Sequence, residues 1–186
     1  MKILVACEYS GVVRDAFATK GHDVWSCDVL PTEKPGNHHQ GDVRDILCDG
    51  WDMMIAHPPC TRLCNSGVRW LHERNLWTEM DAAAAFFRLL LNAPISLVAV
   101  ENPIPHRYAA NLIGEKYSQI VQPYHFGHGE TKATCLWLKG LPLLLPTSVV
   151  DGRCPRIHYM SPGGNRARER SRTYAGIAKA MADQWG

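Results

Sequence analysis

Four short apolar runs, each ending next to polar residues, constrain the fold of this chain most strongly. They are KILVAC, HDVWSCD, WDMMIA and ISLVAVEN, at residues 2–7, 22–28, 51–56 and 95–102. The intervening segments VVRDAFATKG and EMDAAAAFFRLLLNA have the composition and apolar spacing of helices. Strands that alternate with helices predict an α/β fold with a doubly wound, mostly parallel sheet.

The chain beyond residue 132 is less regular. ATCLWLKGLPLLLP, at residues 133–146, should hold one more strand, and SRTYAGIAKAMADQW, at residues 171–185, has the pattern of an amphipathic terminal helix. A loop rich in Pro, Gly and Arg separates them. A chain of 186 residues with 46% hydrophobic content can bury one sizeable core, so we expect a single domain over residues 1–186.

Charge and hydropathy exclude some classes of protein. The net charge of +2 is too small to identify a nucleic-acid-binding protein by itself, although RARERSR at residues 166–172 concentrates arginine. No apolar run approaches the roughly 18 residues that span a membrane, and MKILVACEYSG lacks the order of a secretion signal. We expect a cytoplasmic protein with no membrane contact. Seven cysteines, an odd number, favour reduced thiols over a disulfide framework.

The ends of the predicted strands carry the candidate site residues, because ligands bind beyond the carboxyl ends of strands in such sheets. The turn EYSG after the first strand is a weak nucleotide-site signal by itself. Asp28 ends the second strand, where a carboxylate can accept both hydroxyls of a ribose or serve only as a turn aspartate. A carboxylate after ISLVAV is costly to bury unless it is paired, so Glu101 is either functional or a rim residue that caps the next segment.

The segment HPPCTRLCNSG, at residues 57–67, presents a cysteine on a stiff turn, because two prolines end regular structure. Cys60 has three interpretations: a packed structural cysteine, a metal or redox partner of Cys64, or a nucleophile whose thiolate Arg62 would stabilise. The position at a strand end favours the nucleophile. No set of His and Cys residues in the sequence completes a four-ligand pattern, so we assign no metal.

The order of these motifs resembles the DNA cytosine-5 methyltransferases, in particular the compact versions carried by phages and prophages. PPC after one strand, ENP after a later strand and an amphipathic terminal helix match along nearly the whole chain. The resemblance implies a Rossmann-like S-adenosylmethionine-dependent methyltransferase fold with a reduced target-recognition region. It implies that Cys60 is the nucleophile and that Glu101, followed by Asn102, binds the base. ETKAT is similar to a Gln-x-Arg-x-Arg element and adds Lys132 to the implied catalytic set.

The same resemblance implies S-adenosylmethionine as the cofactor. GDV, at residues 41–43, resembles a Gly-Asp-Ile element whose aspartate contacts adenine, and ACEYSG corresponds to the first cofactor loop. The acid that binds the ribose corresponds to Asp28. The implied cofactor-binding residues are Glu8, Tyr9, Ser10, Gly11, Asp28, Asp42 and Pro58.

The implied reaction is transfer of a methyl group to C5 of cytosine in DNA. Cys60 would add to C6 while Glu101 acts at N3, for which a glutamate with a raised pKa is suited. The base must be flipped out of a duplex or lie in a single strand. Residues 140–172 form a short recognition region, so we expect relaxed recognition, or recognition supplied by a partner subunit or a second copy of the chain. RARERSR is expected either to contact phosphates or to be a solvated loop.

Two other classes of function stay open on the sequence. The same chemistry could act on RNA or on a free pyrimidine nucleotide. A non-catalytic binding protein or partner subunit could retain the cofactor fold, although such a protein would need neither Cys60 nor Glu101.

Overall fold

The computed structural model describes residues 1–161, 163 and 166–186, and its centre is a seven-stranded sheet in the order β3-β2-β1-β4-β5-β7-β6. The strands are β1 (Lys2–Ala6), β2 (Asp23–Asp28), β3 (His38–Gln40), β4 (Met53–Ala56), β5 (Leu97–Pro103), β6 (Gln119–Val121) and β7 (Thr134–Lys139). β1 to β5 run parallel, whereas β7 lies antiparallel to both β5 and β6. The mostly parallel sheet predicted from the sequence is confirmed.

Helices cover both faces of the sheet, which makes it doubly wound. They are α1 (Val12–Ala18), α2 (Val68–Glu73), α3 (Trp77–Leu91), α4 (Arg107–Ile113), α5 (Arg156–Tyr159), α6 (Arg166–Ser171) and α7 (Ala175–Trp185). Successive strand residues point to opposite faces. In β1, Leu4 and Ala6 join the core cluster that contains the buried residues of α3, while Ile3 and Val5 join the cluster under α1 and α7. Burial on both faces explains the continuous apolar runs of the central strands.

Several elements were not predicted. β3 and β6 have only three residues each and carry polar or half-exposed side chains, so they give no apolar run. The strand expected within residues 133–146 is β7, which ends at Lys139, and Leu143 and Leu145 after it are exposed. The loop rich in Pro, Gly and Arg holds the short helices α5 and α6, and its residues 162, 164 and 165 lie outside the described part of the chain.

A buried arginine in α1 shapes the loop between β2 and β3. Arg14 is 2% exposed, and its Nη1 donates to the hydroxyls of Ser26 and Thr32 at 3.2 and 3.1 Å. Its Nη2 donates to the carbonyl oxygens of Lys34 and Pro35 at 3.2 and 3.0 Å. A buried guanidinium must be paired in this way to offset its lost hydration. One side chain therefore holds both ends of this loop against the sheet.

None of the helices that the structure describes combines the length and the apolar character that a membrane crossing requires.

Candidate active site

The register of the parallel strands places four polar side chains in one row. A row of paired residues crosses the central strands at Cys27, Ala6, Ala56 and Val100. Because these strands are parallel, the next residue on each of them falls in a second row at the carboxyl edge. That row consists of Asp28, Cys7, His57 and Glu101. Both carboxylates that the sequence analysis selected therefore lie at the same edge of the sheet.

His57 and Glu101 form a buried ion pair. Nδ1 of His57 lies 2.9 Å from Oε2 of Glu101, and the two side chains are 11% and 13% exposed. Burial opposes both charges, but the hydrogen bond and the opposite charge outweigh it, so the pKa of His57 is raised and the pKa of Glu101 is lowered. The expectation of a raised pKa for Glu101 is wrong, because it did not include the neighbouring imidazole.

The segment after the two prolines forms a tight turn that holds Cys60. The backbone N–H groups of Leu63 and Cys64 both donate to the carbonyl oxygen of Cys60, at 2.9 and 3.0 Å. The backbone N–H of Asn65 then donates to the carbonyl oxygen of Ile104, just beyond β5. Cys60 is half-buried rather than enclosed in the core. The turn therefore ties the candidate nucleophile to the strand that carries the candidate glutamate.

The sulfur atoms of Cys60 and Cys64 interact. A hydrogen bond to Cys64, together with burial, raises the pKa of Cys60. Accepting this hydrogen bond lowers the pKa of Cys64, whose sulfur also lies 3.1 Å from Oγ of Ser66. Within this pair, negative charge is stabilised on Cys64 and the proton stays on Cys60. The separation of four residues thus places the two thiols close enough to affect each other's pKa.

Lys132 supplies the positive charge at this site. It lowers the pKa of Cys60, whereas Glu101 raises it, so both charges act on the thiol. Nζ of Lys132 donates to the carbonyl oxygen of Arg172 at 3.0 Å, which anchors the ammonium group. Arg62, expected from the sequence to stabilise the thiolate, is not the cation that acts on it. The structure thus brings together Cys60, Glu101 and Lys132, three of the four predicted catalytic residues.

Asn102, the fourth predicted catalytic residue, lines neither of the two cavities found at this edge of the sheet. Asn102 is 1% exposed, and its Nδ2 donates to the carbonyl oxygen of Pro103 at 2.5 Å. Its Oδ1 has no hydrogen-bond partner among the described residues. Asn102 lies opposite Cys135 in the antiparallel pairing of β5 with β7. Its amide group therefore helps to order the end of β5.

The larger cavity of the site, of about 290 Å³, lies beyond the ends of β1 and β2. Its lining includes Asp28, Asp42, Val29, Val43, Pro59 and Phe86. Asp28 accepts the backbone N–H of Leu30 through Oδ1 at 2.9 Å. Hydrogen bonds from Arg44 lower the pKa of Asp42 to about 2. Two predicted cofactor residues thus share one cavity, whereas the predicted Pro58 is buried and its neighbour Pro59 lines the cavity instead.

Glu8 and Gly11 shape the turn before α1. Oε1 of Glu8 accepts the backbone N–H of Val13 at 2.8 Å, and Oε2 accepts that of Arg14 at 3.2 Å. This carboxylate therefore satisfies the free amides at the start of α1, where negative charge is favourable. Gly11 has a φ of 70°, which side-chain-bearing residues rarely adopt. Glu8 thus forms the turn that was predicted to be the first cofactor loop.

A smaller cavity, of about 50 Å³, lies between this turn and the chain after α6. The predicted residues Glu8, Tyr9 and Ser10 line it together with Cys7, His57, Ser171, Arg172 and Thr173. The hydroxyls of Tyr9 and Ser171 lie 3.3 Å apart. The segment that contains Ser171 therefore closes one side of the predicted cofactor loop.

Two arginines of RARERSR are ion-paired rather than free. Arg168 and Arg172 both pair with Glu33 in the β2–β3 loop, the latter at 2.5 Å. Glu33 is 15% exposed, so this pairing fixes α6 over the edge of the sheet. Arg168 and Arg172 are therefore less available to contact phosphates than the sequence suggested.

Sequence analysis placed His57 at a strand end without assigning it a role, and it missed Cys7. Each follows the last paired residue of a buried strand, so the register of β1 and β4 would have identified both. Cys7 has a φ of 58° and lines both cavities. A backbone in this sparsely populated region is retained where the surrounding structure requires it, which is common at functional sites.

The described residues form neither a disulfide nor a cluster of metal-binding side chains. All seven cysteines are free thiols. Across residues 1–161, 163 and 166–186, no group of three or more His, Cys, Asp or Glu side chains is arranged to hold a metal ion.

Comparison with known proteins identifies the fold. No protein-family model and no curated protein matches the sequence. The chain is similar to a solved structure of a candidate DNA modification methyltransferase encoded within a prophage of E. coli, with a TM-score of 0.52 and 15% identity, over 87% of this chain and 55% of that one. It is also similar to the methyltransferase EhMeth of Entamoeba histolytica, with a TM-score of 0.50 and 13% identity, over 89% of this chain and 61% of that one. The chain thus spans little more than half the length of these proteins, and its fold is that of the S-adenosylmethionine-dependent methyltransferases.

Proposed function

We propose that this protein transfers a methyl group from S-adenosylmethionine to C5 of cytosine in DNA, through a covalent adduct at Cys60. The observation that carries the proposal is the convergence of Cys60, Glu101 and Lys132 at the sheet edge that also holds the cavity with Asp28 and Asp42. A nucleophile, an acid–base group and a cation are the groups that addition to a pyrimidine ring requires.

The larger cavity fits the nucleoside part of the cofactor. Asp28 would accept the ribose hydroxyls, since only one of its oxygens bonds to a backbone N–H within the described residues. Asp42 would accept from the exocyclic amine of adenine, and Val29 and Phe86 supply apolar contact. The bound cofactor contributes an electrophilic methyl group on a sulfonium. Reactant positioning of this kind accounts for a large part of catalysis in two-substrate reactions.

Cys60 would add to C6 of cytosine and make C5 nucleophilic. The proton of its thiol must leave first, and the sulfur of Cys64 already accepts the hydrogen bond of that thiol. Cys64 would take this proton in an uphill step, because the hydrogen bonds that stabilise its thiolate also make it the weaker base. Lys132 stabilises the thiolate of Cys60 by its charge. After the methyl group reaches C5, loss of the C5 proton allows Cys60 to leave.

Glu101 would hydrogen-bond N3 of the same ring and stabilise the charge that develops during addition of sulfur. Its burial beside His57 strengthens such a contact, because the local dielectric is low. A base within a duplex cannot reach the carboxyl edge of the sheet, so the cytosine must be flipped out or single-stranded.

Recognition of the target would fall to residues 140–172, of which α5 and α6 are part. With Arg168 and Arg172 bound to Glu33, Arg166 and Arg170 would be the arginines of α6 that hold phosphates. We therefore propose relaxed sequence recognition within a single domain, supplemented by a partner subunit or a second copy of the chain.

Covalent capture tests this function. DNA with 5-fluorocytosine in place of cytosine should trap the protein in the presence of S-adenosylmethionine, because the fluorine blocks release of Cys60. Mass spectrometry should locate the adduct on Cys60, and Cys60→Ser should give none. Cys48→Ser, which changes an exposed thiol, is the matched control and should still be trapped.

The substrate class is tested by offering duplex DNA, single-stranded DNA, RNA and deoxycytidine monophosphate in parallel. Transfer to DNA alone supports the proposal. Transfer only to RNA or to the free nucleotide assigns the chemistry to another substrate, and cofactor binding without any transfer identifies a non-catalytic binding protein.

A further inference from the structure

His57 and Glu101 share one proton in the hydrogen bond that joins them. The backbone N–H of His57 donates to Ala6 at 2.9 Å, which continues the sheet and fixes the imidazole beside Glu101. The distance from Nδ1 to Oε2 is 2.9 Å, and both side chains are almost buried. A buried carboxylate that lacks a partner is strongly destabilising. His57 thus stabilises the ionised form of Glu101 at this position.

The other charged groups around His57 come from three further segments. Glu8, in the turn before α1, favours the protonated imidazole, whereas Lys132, before β7, opposes it. Arg172, after α6, lines the same small cavity as His57. Nε2 of His57 is buried and has no hydrogen-bond partner within the described residues. Glu101 is therefore the side chain to which the imidazole is bonded there.

The proposed reaction needs a proton where an ionised glutamate has none. N3 of cytosine becomes basic as sulfur adds to C6, but a carboxylate only accepts hydrogen bonds. We propose that His57 holds this proton in the resting protein and supplies it to N3 through Glu101. His57 is then a positioning residue that acts through Glu101. This inference rests on the proposed function.

The proton transfers balance over one turnover. The Nδ1–H bond of the imidazolium breaks as an O–H bond forms on Glu101, and that O–H bond breaks as the N3–H bond forms. At the same time the electron pair of the Cys60 thiolate forms the bond to C6. A water molecule then takes the C5 proton, the electron pair of the C5–H bond forms the C5–C6 double bond, and the bond from C6 to sulfur breaks. N3 returns its proton to Glu101, Glu101 returns it to His57, and Cys60 regains its proton from Cys64.

The scheme fixes the sign of the pH dependence. His57 and Glu101 hold their shared proton at pH values below the pKa of His57. The structure raises this pKa above the usual value. The rate of methyl transfer should therefore be highest below that pKa and should fall as the pH rises through it.

The test compares the wild type with His57→Asn, whose amide can donate from the position of Nδ1 but cannot carry the mobile proton. Single-turnover rates of methyl transfer to DNA are measured from pH 6 to pH 10, and the ring nitrogens of His57 are titrated by ¹⁵N NMR in the free protein. We expect the wild-type rate to fall with the midpoint of the His57 titration. His57→Asn should be about 100-fold slower at neutral pH and should lack this fall. His72→Asn, at an exposed histidine of α2, should behave as the wild type.

A profile of His57→Asn that superimposes on that of the wild type would overturn the inference. So would a His57 that titrates at or below its ordinary pKa. If His57→Asn does not fold, two measurements on the wild type still decide. A midpoint of the rate profile that differs clearly from the midpoint of the His57 titration contradicts proton transfer from His57 through Glu101. A wild type that transfers no methyl group overturns the proposed function and this proton transfer with it. If the wild type is active but its rate does not change with pH as His57 titrates, only the proton transfer from His57 is overturned.

Discussion

Gly67 lies so close to the carbonyl oxygen of Thr61 that a β-carbon at position 67 would be 2.1 Å from that oxygen. The contact closes the turn that holds Cys60. Both partners are backbone, so neither can move aside without shifting the turn.

Gly67→Ala should therefore displace the Cys60 turn. We expect a loss of about 1–3 kcal/mol in the free energy of unfolding, measured in urea, as for other overpacked sites. Covalent capture by 5-fluorocytosine DNA should fall further than this stability loss explains. Gly163→Ala is the control, because an added β-carbon there has no heavy atom within 4 Å. Equal capture by the two variants would show that the turn does not position Cys60.

Asp28→Asn should weaken binding of S-adenosylmethionine by roughly 10- to 100-fold, because a charge-assisted hydrogen bond is lost. Asp42→Asn should also weaken binding, since both carboxylates line the same cavity. Isothermal titration calorimetry measures both affinities. Asp81→Asn removes an exposed carboxylate from α3 and should leave the affinity unchanged. Unchanged affinity in Asp28→Asn would place the cofactor elsewhere.

The His57–Glu101 ion pair should contribute to stability over a defined pH range. The raised pKa of His57 gives a contribution that is complete below the ordinary histidine pKa of 6.5 and is lost as the pH rises through the raised value. The lowered pKa of Glu101 gives a contribution that is complete above 4.5 and is lost as the pH falls through the lowered value. The full effect therefore lies between these two limits.

A double-mutant cycle with His57→Gln and Glu101→Gln measures this effect. At pH 5.5 breaking the pair should cost roughly 3 kcal/mol, as for other buried pairs that lose one partner. The coupling should be much smaller at pH 10. The exposed pair of Arg69 and Glu73 in α2 provides the comparison and should show weak coupling at both pH values. A coupling that is the same at both pH values would contradict an ionic pair.

Glu33→Gln should loosen α6, because Glu33 pairs with both Arg168 and Arg172. Hydrogen exchange should become faster over residues 166–173, while exchange in β1 and β4 should not change. Glu73→Gln removes a carboxylate that pairs only within α2 and serves as the control. Equal exchange rates over residues 166–173 in both variants would show that other contacts hold α6.

The central strands could be predicted because their burial on both faces leaves continuous apolar runs. β3 could not, since its sequence is His-His-Gln and its pairing depends on the loop that Arg14 organises. Arg14 lies within the segment VVRDAFATKG, and the spacing of that segment indicates a helix but not a buried arginine. Its partners lie up to 21 residues away, so its burial is a tertiary effect that local sequence does not encode.

The candidate site was predicted where a residue type and a strand end coincide, as at Cys60, Asp28 and Glu101. The pKa of Glu101 was predicted to shift in the wrong direction, because the shift depends on His57, which lies 44 residues earlier in the chain. His57 adjoins the cysteine motif, and only the pairing of β4 with β5 brings it to the glutamate.

The dependence of the β2–β3 loop on Arg14 has a consequence for how related sequences can diverge. Two of the contacts go to backbone carbonyls, which every amino acid provides, so positions 34 and 35 are free to drift. Positions 26 and 32 must retain a hydroxyl or another acceptor, and position 14 must retain a guanidinium. Natural variation should therefore be uneven, with position 32 constrained among tolerant neighbours in the loop and positions 14 and 26 constrained outside it.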